Sequence, residues 1–143
     1  MIACDVNVLV HAFNADDEQH EPYRHWLEAA AGGHEPFGLS AVVASGFIRV
    51  VTHPKVLDEP LAVSAALDLL AALRSAPAVV PLEPGPRHWV LFDDLCRRAG
   101  ARGNAVPDAF LAALAIEHGC TWVTADRGFA RYPGLRVRHP LES

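Results

Sequence analysis

Three observations predict an α/β sandwich around a short, mainly parallel sheet. Short apolar runs alternate with longer segments of helical periodicity. Hairpin turn signals are weak, which leaves helical crossovers as the connections between strands. At 143 residues the chain has the size of one domain and buries a core without a covalent staple. We read residues 1–143 as a single domain.

Met1 to Cys4 is an apolar run ending at Asp5, and predicts a buried first strand. The stretch Asp5-Val-Asn7-Val-Leu-Val-His11-Ala-Phe then opens a helical pattern. A second helix is expected from about Asp17 to Ala31. Its residues Tyr23, Trp26, Leu27 and Ala30 follow 3/4 spacing, and Gly32-Gly33 stops it. Phe37-Gly38-Leu39 is a short strand candidate. Ser40 suits the N-cap of a helix through about Val51, which His53-Pro54 ends. Residues 61–75 form a Leu/Ala-rich amphipathic helix, and Val79-Val80 marks a strand within Ala78 to Leu82. Residues 86–99 read as a further helix, closed by Gly100. Pro107 sits in the first turn of a helix running to His118, with Gly119 just beyond it. Cys120 to Thr124 and Leu135 to Arg138 supply the remaining strands.

Composition narrows the function. Apolar residues make up 51% and charged residues 20%, which excludes a disordered chain. No apolar run approaches the roughly 20 residues of a membrane span, and the start Met-Ile-Ala-Cys-Asp lacks the basic region of a signal peptide. Cys4, Cys96 and Cys120 are widely spaced and form no CxxC. They read as small apolar thiols in a reducing cytoplasm, not as a disulfide framework or zinc site. The net charge of −5 argues against a non-specific nucleic-acid coat. That average hides an asymmetry. Residues 1–35 hold seven acids against Arg24 alone, whereas residues 87–138 hold eight arginines against five acids. The guanidinium fork suits phosphate, so the back half permits an anionic ligand.

In parallel sheets, ligands collect at the carboxyl ends of the strands. Asp5 lies just past the first strand, and Asp126 just past Thr121-Trp122-Val123-Thr124. Asp108, with Leu111, Ala112 and Ala115 at i+3, i+4 and i+7, extends the apolar face of its helix. An acid there is costly unless paired, neutralised or bound to metal. Each acid also has a local reading: Asp5 and Asp126 as caps, Asp108 as a favourable charge at a helix start. Three carboxylates converging on one crevice need a hard counter-cation, and oxygen-only ligation suits Mg²⁺ or Mn²⁺. Such a site activates water and neutralises a phosphoryl transition state, so metal-dependent phosphodiester hydrolysis is the chemistry expected. Asn7, Asn104 and Thr124 are placed to orient a carboxylate or a water, with local backbone capping as the alternative for the asparagines. Arg49 and Arg127 are candidates for phosphate contacts.

These residues carry a family resemblance. Asp5-Val-Asn7-Val-Leu resembles the opening of PIN-domain nucleases, specifically VapC-type toxins of toxin–antitoxin pairs. Pro107-Asp108-Ala-Phe-Leu-Ala-Ala-Leu-Ala-Ile-Glu-His-Gly resembles their third-acid helix, and Thr124-Ala-Asp126-Arg-Gly-Phe-Ala-Arg-Tyr-Pro-Gly their last acidic loop. Gly46-Phe-Ile-Arg49-Val-Val-Thr52-His-Pro54 is similar to the middle motif of one VapC branch. The resemblance spans nearly the whole chain in the right order. It implies a PIN-like three-layer sandwich and a cytoplasmic, Mg²⁺-dependent endoribonuclease. It further implies a homodimer, a VapB-type antitoxin as inhibitor, and tRNA or rRNA as substrate. Asp5, Asp108 and Asp126 would be both the metal ligands and the catalytic acids.

Two departures accompany it. Many members carry a glutamate where this sequence has Gly46, and a second acid where it has Gly128. The alternative function is therefore a PIN scaffold that binds antitoxin or RNA without efficient cleavage. Glu117, about 180° round the helix from Asp108, does not substitute for the missing acids. Asp16, Asp17 and Glu18 are candidates to do so from a loop. A receiver-like phosphotransfer domain suits the fold class but lacks a matching lysine, since Lys55 is the only one. No nucleotide-binding fingerprint is present. The eight histidines show no tight ligand pair, and Trp26, Trp89 and Trp122 read as core. A hydrophobic groove for an antitoxin helix is expected near the first helix and residues 40–75.

Overall fold

A computed structural model describes residues 1–142. The strands are β1 (Ile2–Cys4), β2 (Phe37–Leu39), β3 (Val79–Pro81), β4 (Thr121–Val123) and β5 (Arg136–Arg138). The helices are α1 (Val6–Phe13), α2 (His20–Ala31), α3 (Ala41–Val51), α4 (Val63–Arg74), α5 (His88–Ala99) and α6 (Ala105–Glu117). A 3₁₀ turn covers Arg127–Arg131. The sheet order is β3-β2-β1-β4-β5, and every pairing is parallel. The sheet expected to be mainly parallel is thus wholly so.

This order follows from the connections. Helical crossovers carry the chain from β1 through β2 to β3, and α1, α2, α3 and α4 pack against one another along this half. The connection from β3 then returns across the sheet to β4, and its helices α5 and α6 pack as a separate pair. The result is three layers, helix–sheet–helix, with β1 at the centre. β1 is buried along its whole length, as its uninterrupted apolar sequence requires. Leu111 to Leu114 of α6 are all buried, so this helix is apolar nearly all round and lies inside the fold.

Local signals set most boundaries. The Ser40 hydroxyl accepts from Val42 N at 3.0 Å and caps α3. Gly100, with φ +59°, closes α5 in the left-handed conformation that only glycine adopts freely. Two expectations are corrected. The second helix starts at His20, not Asp17, because the Asp17 carboxylate instead bonds Gln19 N and the His11 ring and holds a turn. Trp89 is not core: it is 70% exposed. His88, Phe92 and Leu95 occupy the inward stripe of α5, and the adjacent position is rotated about 100° away from it. Trp122 is fully buried and Trp26 half-buried. Cys4 and Cys120 are buried free thiols, and Cys96 is half-buried.

Candidate active site

β1 and β4 are neighbours whose following connections leave in opposite directions. That switch point opens a crevice at the carboxyl edge of the sheet. The register pairs Cys4 with Val123, so the next residues, Asp5 and Thr124, emerge side by side. Asp5 N donates to Val123 O at 2.9 Å and extends the ladder by one bond.

The Asp5 carboxylate is buried and held from three sides. Its Oδ1 accepts from Val6 N at 2.8 Å, which makes it the N-cap of α1. Its Oδ2 accepts from the Thr124 hydroxyl at 2.8 Å and from Asn7 Nδ2 at 3.2 Å. Asn7 Oδ1 in turn accepts from Ala125 N at 3.2 Å, and Thr124 Oγ1 accepts from Asp126 N at 3.0 Å. Asn7 and Thr124 thus bind the start of α1 to the acidic loop after β4. Burial raises the Asp5 pKa, with Asp126 adding to the rise, against the lowering effect of these hydrogen bonds.

Asp126 is exposed and caps the 3₁₀ turn through Gly128 N at 2.8 Å. Asp5 and Asp126 are therefore both caps, and the charge of Asp126 still bears on Asp5. Asp108 stands in the first turn of α6, half-buried, with its pKa pushed up to about 6. Burial is the main cause, followed by repulsion from Asp5 and then Asp126, while Arg131 opposes the rise. The positive end of the helix does not offset this crowding of negative charge.

Between α1, α3 and α6 lies a cavity of about 750 Å³ whose walls include Asp5, Asn7, Arg49, Asn104 and Asp108. Asn104 precedes α6 but makes no side-chain cap bond, so its amide is free to serve the cavity. Arg49 and Arg127 are exposed and make no ion pair among the described residues; Arg127 does not line the cavity. Asp16, Asp17 and Glu18 do not reach it either, which corrects their proposed role as substitutes. Glu117 accepts from Gly85 N and Arg87 N at the opposite end of α6. Arg131 escaped the sequence reading. It ion-pairs with Asp108 at 3.8 Å, and only its position five residues after Asp126 could have flagged it.

Among the described residues, no three His, Cys, Asp or Glu side chains are clustered tightly enough to hold one ion by themselves. The donor set still fits Mg²⁺, which typically takes one or two carboxylates and keeps several waters. Mutual repulsion between carboxylates is the electrostatic condition that a divalent ion relieves.

This yields a stability prediction for metal-free protein. A carboxyl whose folded pKa is raised stabilises the fold below its unfolded pKa, and that stability is lost as pH rises through the folded value. For Asp108 the loss falls between about pH 4 and pH 6. Asp108→Asn should therefore stabilise the protein in EDTA at pH 7.5. A shift of this size is worth about 3 kcal/mol at full burial, and partial exposure cuts it to about 1–2 kcal/mol. Chemical denaturation at pH 7.5 and pH 4 checks this, and an Asp108→Asn protein no more stable than the parent at pH 7.5 would refute it.

Comparison with known proteins places the chain. Residues 2–135 match the PIN domain family. The VapC ribonuclease Mb2897 of Mycobacterium bovis is 49% identical over 142 residues, covering 99% of this chain and 97% of that protein. Ribonuclease VapC25 of Mycobacterium tuberculosis is 37% identical, covering 99% of this chain and all of its own length. Among solved structures, VapBC2 from Rickettsia felis, bound to a DNA fragment from its promoter, matches at a TM-score of 0.68. It is 22% identical and covers 97% of this chain and 98% of its own. Mycobacterium tuberculosis VapC20, a Sarcin-Ricin loop cleaving toxin, matches at 0.65 with 18% identity, covering 95% and 99%. These last two likenesses show the fold, and the sequence matches show the lineage: the chain belongs to the PIN-domain family, among its VapC members.

Proposed function

We propose that this protein is a metal-dependent endoribonuclease toxin whose catalytic acids are Asp5, Asp108 and Asp126. The observation that carries this reading is that Asp5, just past β1, and Asp108, in the first turn of α6, line one cavity, with the charge of Asp126, from the loop after β4, bearing on both although Asp126 does not line it. Its curated relatives are named ribonucleases.

When bound, Mg²⁺ or Mn²⁺ supplies counter-charge to the phosphoryl group and lowers the pKa of water. Asp5 and Asp108 would hold the ion, and Asp126 would complete the negative field around it. Asn7 and Thr124 keep Asp5 oriented through the bonds described above. Asn104 offers an amide to substrate or water. Arg49 and Arg127 hold RNA phosphates away from the acids. The substrate is cellular RNA, with tRNA or rRNA as the expected class, and the setting is the cytoplasm. No helix among the described residues is long and apolar enough to cross a membrane.

Inhibition by a VapB-type antitoxin is supported by the fold's likeness to toxins solved in VapBC complexes. A groove of about 430 Å³ between α1, α2 and α4, with Phe13, Leu27, Leu69 and Leu73 in its walls, suits an apolar antitoxin segment. A homodimer is the expected assembly.

Gly46 and Gly128 favour one second reading, a scaffold that binds RNA or antitoxin with little turnover. Purified, antitoxin-free protein incubated with total cellular RNA in Mg²⁺, Mn²⁺ or EDTA separates the two. Discrete fragments that require metal support the nuclease. A folded protein that binds RNA and leaves it whole in every metal supports the scaffold.

A further inference from the structure

Arg131 is the only basic side chain within 4.0 Å of any of the three site acids among the described residues. It is also the best-anchored cation near them. Its guanidinium carbon lies over the Tyr132 ring, 5.0 Å from the centroid, and Nη2 donates to the Tyr132 hydroxyl at 3.1 Å. That hydroxyl donates to Ala105 O at 3.2 Å, in the first turn of α6, three residues before Asp108. Tyr132 is 2% exposed, so the platform is fixed by the core. The same Nη2 reaches Asp108 Oδ2 at 3.8 Å, an ion pair too long for a hydrogen bond. Among the described residues no other protein partner engages the remaining guanidinium donors, and the side chain is 47% exposed. A planar cation with open donors, held beside an acid of the crevice, fits a phosphodiester, whose paired oxygens match the guanidinium fork.

We propose that Arg131 is a phosphate-binding residue of the catalytic crevice: stacked on Tyr132, it balances Asp108 in the free protein and grips an RNA phosphate beside that acid when substrate enters. The assignment rests on the ribonuclease reading and adds a contact to it. Loss of rotamer freedom on binding is small, because Tyr132 already holds the guanidinium plane. A cation in this place also stabilises charge developing on the phosphate oxygens.

The competing role is a latch that only ties the acidic loop to α6. Binding in EDTA distinguishes them without turnover. The probe is a fluorescent single-stranded RNA oligonucleotide, titrated by anisotropy at several salt concentrations against Asp5→Asn protein, with and without Arg131→Gln. Glutamine keeps a donor for Tyr132 and removes the charge, and Arg131→Lys restores the charge without the fork. We expect Arg131→Gln to weaken binding about tenfold and to reduce the slope of log affinity against log salt by about 0.7, one phosphate's share on a single strand. Arg131→Lys recovers most of the slope. An Arg131→Gln protein with parental slope and affinity overturns the assignment, whether or not its melting temperature falls. If the parent itself binds no RNA, this assignment fails, while the ribonuclease reading is decided separately by the cleavage assay.

Discussion

Asp5→Asn is expected to leave a folded protein whose metal-dependent RNA cleavage falls by about two to four orders of magnitude. Asparagine keeps the shape of the side chain and one carbonyl oxygen. It can still accept from Val6 N or from Thr124, so the start of α1 survives. It loses the negative charge that binds a hard cation. The two amide hydrogens also need acceptors where the carboxylate only received bonds, so one of the contacts from Val6, Thr124 or Asn7 is lost. Thermal melting checks the fold, and calorimetric titration with Mg²⁺ checks the ion. Full cleavage by Asp5→Asn would remove this acid from the catalytic set. Full cleavage with Mg²⁺ affinity intact would remove the site as a whole.

Gly46→Glu is expected to destabilise the protein by about 3 kcal/mol rather than restore a missing acid. Gly46 sits in the middle of α3, where an exposed glycine replaced by alanine normally gains about 1 kcal/mol. Here a Cβ would stand 2.8 Å from Val6 Cγ2. Val6 is β-branched and stiff in its helix, so it yields only by rotamer strain or by parting α1 from α3. Overpacking of this kind typically costs about 1–3 kcal/mol, and the sign of the ordinary glycine effect reverses. A glutamate adds one more negative charge to a cavity wall that already faces Asp5 and Asp108. Val6→Ala should relieve the clash, giving a coupling of at least about 1 kcal/mol with Gly46→Glu. Denaturation of the two single variants, the double variant and the parent measures it. A Gly46→Ala protein more stable than the parent would show that the helices do not need this close approach. Gly128 is different: a Cβ there meets only the Asp126 carboxylate, at 3.0 Å, a contact that a small rotation eases.

The acids were legible in the sequence because each follows a recognisable element. Asp5 and Asp126 follow apolar strands, and Asp108 interrupts an apolar helical face. The rule that parallel strands present their carboxyl ends together puts Asp5 and Asp126 at one sheet edge, whereas Asp108 comes to the Asp5 cavity from the first turn of α6. Asn104 was named for its place near an acid, and the cavity wall includes it. Trp89 was misjudged because a tryptophan's size says nothing about its phase on the helix, and the buried stripe of α5 runs instead through a histidine. Arg131 was missed for a related reason. Its importance comes from a tyrosine platform and a helix start 26 residues earlier, neither of which local spacing encodes. The register of α3 on α1, which makes Gly46 necessary, is likewise a property of two helices and not of either sequence.

The central position of β1 has a consequence for the order of synthesis. The Asp5 carboxylate is made well before its partner Thr124, and the bond between them closes a separation of 119 residues. Contacts of such range are the slowest to form, since chain entropy is lost before they reward it. The segment from β1 through β3 can pair its own strands as it leaves the ribosome, but it carries one of the three acids. Asp108 and Asp126 follow β3 in the chain, and β4 must then dock against a strand made far earlier. A nascent or prematurely terminated chain therefore has no assembled crevice. The topology thus withholds the site until β4 and the loop that follows it have been made and have docked on β1.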